Sequence, residues 1–334
     1  MTWDRVRGHD PARQQLLAAH RRGRLGHAYL FVGPDGVGKR RFATEFAKAL
    51  LCENPPADLT ACDRCPACAQ VAAETHPDFS VVRTPDDKLE LPVDTARELV
   101  ANLALRPVRG GRKVTLVIDA DDFNEESANC LLKTLEEPPA GAVLILLATS
   151  AERQLATILS RCQVVRFHPL GPADLKLVLL DNGVTDPATL DRLVRLSGGS
   201  AGRALALADD AVWQFRQTLL TAVGSTRPDP VGLAAKVIEF VESAGKDSPA
   251  QRARASLAIH LLTDLLRTAV RLSLGSEVPG LDAAERGKLQ AVAAVGPDAI
   301  AVMLEACTEA DGYVERRVQL AILIEQLADR VCRR

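Results

Sequence analysis

The chain lacks the features that would assign it to several large classes at once. No apolar run approaches the ~20 residues of a bilayer-crossing helix. The opening MTWDRVRGHD has no hydrophobic signal core. No membrane partner is expected, and a cytoplasmic location is. A basic excess is also missing: 41 Lys and Arg against 43 Asp and Glu give a net charge of −2. A surface that grips nucleic acid by bulk electrostatics needs the opposite balance, so any DNA contact must be local or shared with partners. Strand-like alternation is missing beyond Asp209, where only helical spacing is found. What remains is an ordinary soluble composition, 47% hydrophobic and 25% charged over 334 residues, enough for two or three domains.

The most informative stretch is His27 to Arg41, HAYLFVGPDGVGKRR. An apolar strand, Ala28 to Val32, runs into Gly33-Pro-Asp-Gly-Val-Gly38-Lys39, and a helical pattern follows through Phe42, Phe46 and Leu50. That order suits a phosphate-binding loop. Gly33, Gly36 and Gly38 let successive amide hydrogens converge on an anion, Lys39 neutralises its outer oxygens, and the helix start adds partial positive charge. The plainer alternative is a glycine turn between strand and helix. One group departs from the pattern: the hydroxyl that would ligate magnesium is replaced by Arg40.

Eight cysteines are present, and four of them, Cys52, Cys62, Cys65 and Cys68, fall within 17 residues. Thiols so spaced close a tetrahedral zinc site better than they form disulfides, and four protein ligands leave no open position, so the expected role is structural. Scattered free thiols or a redox pair are the alternatives.

The strand Lys113 to Ile118 ends in Asp119, where a nucleotide-binding sheet places its magnesium carboxylate. The following position, which carries the water-polarising Glu in hydrolytic members of the class, is Ala120. Asp121 and Asp122 read as turn formers. With both the hydroxyl and the Glu missing, negligible hydrolysis is expected at the chain's own site. A helix over 125–137 stops at Pro138-Pro139, and the apolar strand Ala142 to Thr149 ends in a residue that is either a contact for γ-phosphate or water, or a simple strand cap.

The ordered set Trp3 and Gly8, His27 to Phe31, Gly33 to Lys39, the four cysteines, His76-Pro77-Asp78, Asn129 to Pro138, and Ser160-Arg161-Cys162 resembles the delta-prime family of bacterial DNA polymerase III clamp-loader subunits, within the AAA+ superfamily. The resemblance implies an α/β AAA+ P-loop core over 1–168 with a parallel sheet and an inserted four-cysteine zinc module near 52–68. A small helical lid over 169–207 and an all-α collar over 208–334 would follow. It implies that Arg161 is an arginine finger acting in trans on ATP held by a neighbouring motor subunit. From the residues alone it is an Arg at a strand edge. Arg203 takes the position of the second sensor arginine, or is a solvated helix residue. Gly33, Gly36, Gly38, Lys39, Asp119, Thr149 and Arg203 would form a degenerate site for ATP or ADP. Implied partners are the gamma/tau motor subunits, the delta subunit, and, through the assembly, the sliding clamp and primed DNA. Two other readings compete: an autonomous AAA+ ATPase or gamma/tau-like motor, which Lys39 and Asp119 keep open, and a zinc-dependent nucleic-acid-binding module, which the acidic balance weakens.

Overall fold

The computed structural model describes residues 2–56, 59–85, 88, 90–109, 111–245, 248–278, 281–315 and 318–333. The turn residue Gly110, the loop residues Pro279 and Gly280, and Arg316 and Arg317 before the last helix lie outside the described residues. The chain divides into two compact units, Met1–Ala206 and Leu207–Arg334.

In the first unit the elements run α1 (Asp10–Arg21), β1 (Ala28–Val32), α2 (Lys39–Leu51), α3 (Pro66–Ala72), β2 (Phe79–Val82), α4 (Val93–Ala104), β3 (Lys113–Val117), α5 (Glu125–Glu136), β4 (Ala142–Ala148), α6 (Ala156–Leu159), β5 (Gln163–Arg166), α7 (Pro172–Asp181), α8 (Pro187–Leu196) and α9 (Ala201–Leu207). The five strands form one sheet in the order β2-β3-β4-β1-β5. Every pairing is parallel.

A parallel sheet is covered on both faces, which is why β1 and β4 are apolar and buried at every position. Alternate residues of β1 feed two cores. Tyr29 and Phe31 join Phe42, Phe46, Phe167 and Trp3 on one side, while Leu30 joins Leu131, Leu144 and Leu146 on the other. Register then fixes the functional edge. Val32 pairs with Ala148 and Val117 with Leu146, so Gly33, Asp119 and Thr149 leave the sheet side by side at its carboxyl end.

His76-Pro77-Asp78 has a structural explanation. Asp78 is 1% exposed, and its two carboxylate oxygens accept the backbone N–H groups of Val108 at 2.7 Å and Arg109 at 2.8 Å. His76 Nδ1 accepts the Asp78 N–H at 3.0 Å, and burial lowers the His76 pKa, which keeps the ring neutral.

The second unit contains α10 (Asp210–Val223), α11 (Pro230–Glu242), α12 (Ser248–Ser273), α13 (Ala283–Ala293), α14 (Pro297–Glu315) and α15 (Leu320–Cys332). Asp209, Asp229 and Asp282 cap three of these helices by accepting first-turn amides. Phe215 stacks on Phe240 at 3.7 Å, and Arg216 is buried against Glu285 at 2.6 Å. Among the described residues no single helix is long and apolar enough to cross a membrane. The buried apolar face of α12 runs from Ala255 through Ile259, Leu262 and Leu266.

Removing the Asp78 carboxylate takes the acceptor from two amide donors and leaves a gap where a side chain 1% exposed had been. Asp78→Ala is expected to lower unfolding stability by about 2–4 kcal/mol in a urea titration; a change below about 0.5 kcal/mol would contradict the pinning role.

A phosphate-type cradle, a four-sulfur cluster and an anchored arginine

The loop between β1 and α2 turns on Gly36 (φ +72°) and Gly38 (φ +109°), conformations that favour glycine. At Gly33 a Cβ would lie 2.4 Å from the Phe167 carbonyl oxygen, so the chains approach too closely for any side chain. Six consecutive carbonyls of the loop accept hydrogen bonds from the protein. Lys39 Nζ donates to Gly33 and to Pro34 at 3.0 Å, Ser200 Oγ to Asp35 at 2.9 Å, and the Gly202 N–H to Gly36 at 2.9 Å. His9 Nε2 donates to Val37 at 2.7 Å, and the Phe42 N–H to Gly38 at 2.9 Å. Burial lowers the His9 pKa, consistent with a neutral ring serving as that donor. The Gly33 N–H donates to the Ala148 carbonyl at 3.2 Å and Pro34 has none, so the amide hydrogens that remain for an anion are those from Asp35 onward, the arrangement of a phosphate nest. Phosphate oxygens fit this cradle.

A magnesium ion does not fit it equally well. Arg40, in the hydroxyl position, ion-pairs with Glu74 at 2.6 Å, and Glu74 also binds Arg83 at 3.0 Å. Arg40 holds the Glu74 carboxyl below its usual range. Asp119 stands at the end of β3, and burial lifts its pKa above the ordinary carboxylate value. Ala120 is 1% exposed and offers no carboxylate. Asp121, the nearest substitute, is committed: it accepts the Thr149 N–H at 2.7 Å and Gln154 Nε2 at 2.6 Å. The Thr149 hydroxyl is buried and makes no protein hydrogen bond among the described residues. Arg203 is the third residue of α9, and its N–H donates to Ser200 Oγ at 3.2 Å.

Cys52 caps the C-terminus of α2, Cys62 lies in the following turn, and Cys65 and Cys68 start α3. Their four Sγ atoms lie within 4.8 Å of one another, with Cys52 to Cys65 at 3.9 Å and Cys62 to Cys68 at 4.0 Å. A tetrahedral site with Zn–S bonds of ~2.3 Å has sulfur–sulfur edges of about 3.8 Å. The cluster is thus shaped to hold a metal ion. Backbone N–H groups brace the sulfurs: Cys62 N–H donates to Cys52 and Cys65 N–H to Cys62, each at 3.3 Å. Lys48, 3% exposed, ties α2 to this module through Asp63, and also bonds Glu45 at 2.9 Å.

Ser160-Arg161-Cys162 joins α6 to β5. Cys162 packs into the core beside Ile158, and burial pushes its thiol up to about 12, so it is an inert anchor. Ser160 Oγ accepts from Arg161 Nη1 at 2.9 Å, and the Thr157 carbonyl accepts from the same nitrogen at 3.1 Å. Arg161 Nε donates to Glu136 Oε1 at 3.0 Å, and Nη2 donates to the same oxygen. The Arg161 side chain remains 32% exposed. The sequence reading gave no role to Glu136, Glu74 or Ser200; each acts on a distant segment, and only Glu136, inside the Asn129–Pro138 stretch, carried a local signal.

A glycine loop between an interior strand of a parallel sheet and a helix defines an α/β protein of the P-loop class, here followed by a helical unit. Comparison narrows the class. Residues 8–171 match the family described as "DNA polymerase III, delta subunit". The chain is 41% identical to DNA polymerase III subunit delta' of Pseudomonas aeruginosa, over 63% of this chain and 65% of that one. With the delta' subunit of Escherichia coli it shares 36% identity, over 65% of each chain. With the tau subunit of Escherichia coli it shares 35%, over 57% of this chain and 30% of that one. Over about two thirds of its length the chain is therefore similar to delta' subunits of DNA polymerase III, and over slightly less to tau subunits. The matches span 65% of the delta' relatives' length, a little under two thirds.

The cysteine chemistry gives a prediction. Burial raises the pKa of Cys52 and Cys68, while the backbone N–H groups of Arg64 and Cys65 lower Cys62 to about 6. At neutral pH the metal-free cluster holds at least two thiols that a bound metal must deprotonate. Adding Zn2+ to chelator-stripped protein should release protons, and the apparent affinity should rise from pH ~6 to ~8. Zinc uptake without proton release would contradict this reading.

Proposed function

We propose that the chain is the delta-prime-type subunit of a bacterial clamp loader, a non-hydrolysing partner that supplies Arg161 to ATP bound by a neighbouring motor subunit. The observation that carries the reading is the contrast between the two ends of the site. The cradle is intact, yet Arg40 is tied to Glu74, Ala120 has no carboxylate and Asp121 is occupied. Arg161 is half-buried, with its guanidinium held by Glu136, Thr157 and Ser160. A permanently charged planar guanidinium stabilises charge on a transferring phosphoryl group, the task of an arginine finger.

On this reading residues 1–168 form the AAA+ core, 169–207 the lid and 208–334 a collar that assembles with gamma/tau and delta subunits. The four cysteines hold one structural Zn2+. Gly33, Gly36, Gly38, Lys39, Asp119, Thr149 and Arg203 surround a degenerate pocket for ATP or ADP. Sliding clamp and primed DNA are met through the complex. The second reading, an autonomous ATPase, is favoured only by the retention of Lys39 and Asp119.

Arg161→Ala should fold and assemble normally but lower the DNA-stimulated ATPase of the reconstituted loader by about 10-fold or more. An unchanged assembled rate would remove the finger assignment.

A further inference from the structure

We infer that Glu136 is a positioning residue for Arg161, setting which N–H of the guanidinium faces outward. The inference rests on the trans role proposed for Arg161. A guanidinium has five N–H donors in a rigid fork. Four of them are accounted for within the chain. Nε–H and one Nη2–H meet a single carboxylate oxygen, Glu136 Oε1, and the two Nη1 hydrogens meet the Thr157 carbonyl and Ser160 Oγ. One Nη2–H is left for an external anion.

The three acceptors sit on different elements. Thr157 and Ser160 belong to the short α6 turn that carries Arg161 itself, so they rotate with it. Glu136 is the last residue of α5. That helix is bolted to the core through Ala128, Leu131 and Leu135, and its start is fixed by a reciprocal capping box between Asn124 and Ser127. Pro138 and Pro139 end it directly after Glu137, so Glu136 sits at a fixed helix terminus. Glu136 is therefore the one external reference point among the acceptors of this side chain. Its side chain is 52% exposed, so the pair contributes little to stability, and a contact so exposed yet so specific in geometry acts on orientation. An arginine finger works only when its donor already stands where charge develops in the transition state, since small misplacements cost large factors in rate.

The test uses the loader reconstituted from this chain with its motor and delta subunits, and measures kcat and KM for DNA-stimulated ATP hydrolysis. Glu136→Ala should lower kcat roughly 3- to 10-fold with KM for ATP within about 2-fold, because orientation is lost and substrate binding is not. Glu136→Gln, which keeps an acceptor at the same position, should recover most of the rate. In an Arg161→Ala background, Glu136→Ala should have no further effect. Thermal unfolding and assembly of each variant should match the parent. An unchanged kcat for Glu136→Ala beside a large loss for Arg161→Ala would overturn the positioning role while sparing the finger. Full additivity of the two substitutions, or failure of Glu136→Gln to recover the rate, would also overturn it. No loss for Arg161→Ala would remove the finger and this inference together.

Discussion

The backbone of residues 33–38 gives all six of its carbonyls to donors elsewhere in the protein, and much of the first unit is arranged around that constraint. The donors come from before β1, from α2 and from the start of α9, so the loop is braced by segments far apart in sequence. With the carbonyls so held and the Gly33 N–H tied to Ala148, the amide hydrogens from Asp35 onward remain for an anion. The close approach at Gly33 and the left-handed turns at Gly36 and Gly38 are the steric side of the same arrangement.

From that loop outward, α2 is held along its length. Arg40 reaches Glu74, Lys48 reaches Asp63, and Cys52 closes the helix as a member of the sulfur cluster. The inserted cysteine module thus braces the helix that carries the cradle. Arg40 takes part in this bracing, which accounts for a residue that the phosphate-loop pattern leaves unexplained. The carboxylates divide in the same way. Asp78 and Asp121 are spent on backbone amides, Asp119 stays at the sheet edge, and Glu136 is turned toward Arg161.

Much of this was legible in the chain. Strands such as Ala28–Val32 and Phe79–Val82 are short apolar runs bounded by turn residues, and their limits follow from composition. The cysteine spacing announced a cluster because its four members are close in sequence. Less legible were α3, only seven residues long and built partly from the cluster's own cysteines, and the first turns of α12, where Gln251, Arg252 and Arg254 leave no apolar period. Helix α10 carries Val212, Phe215, Leu219 and Val223 at helical spacing, a signal present but not used. The partners of Arg40, Asp121 and Arg161 were beyond sequence reasoning for a different reason: each pairing joins segments that meet only after the sheet and its helices have assembled.

The central claim is that the chain retains a phosphate cradle without the groups that would make it hydrolytic. Steady-state ATP turnover by the purified chain with magnesium, with and without primed DNA, tests this most directly against a Lys39→Ala control. The account predicts no turnover above that control in either condition. Clear Lys39-dependent turnover would contradict it, and would mean that a residue such as Asp121 leaves its present partners to do the work of the missing carboxylate.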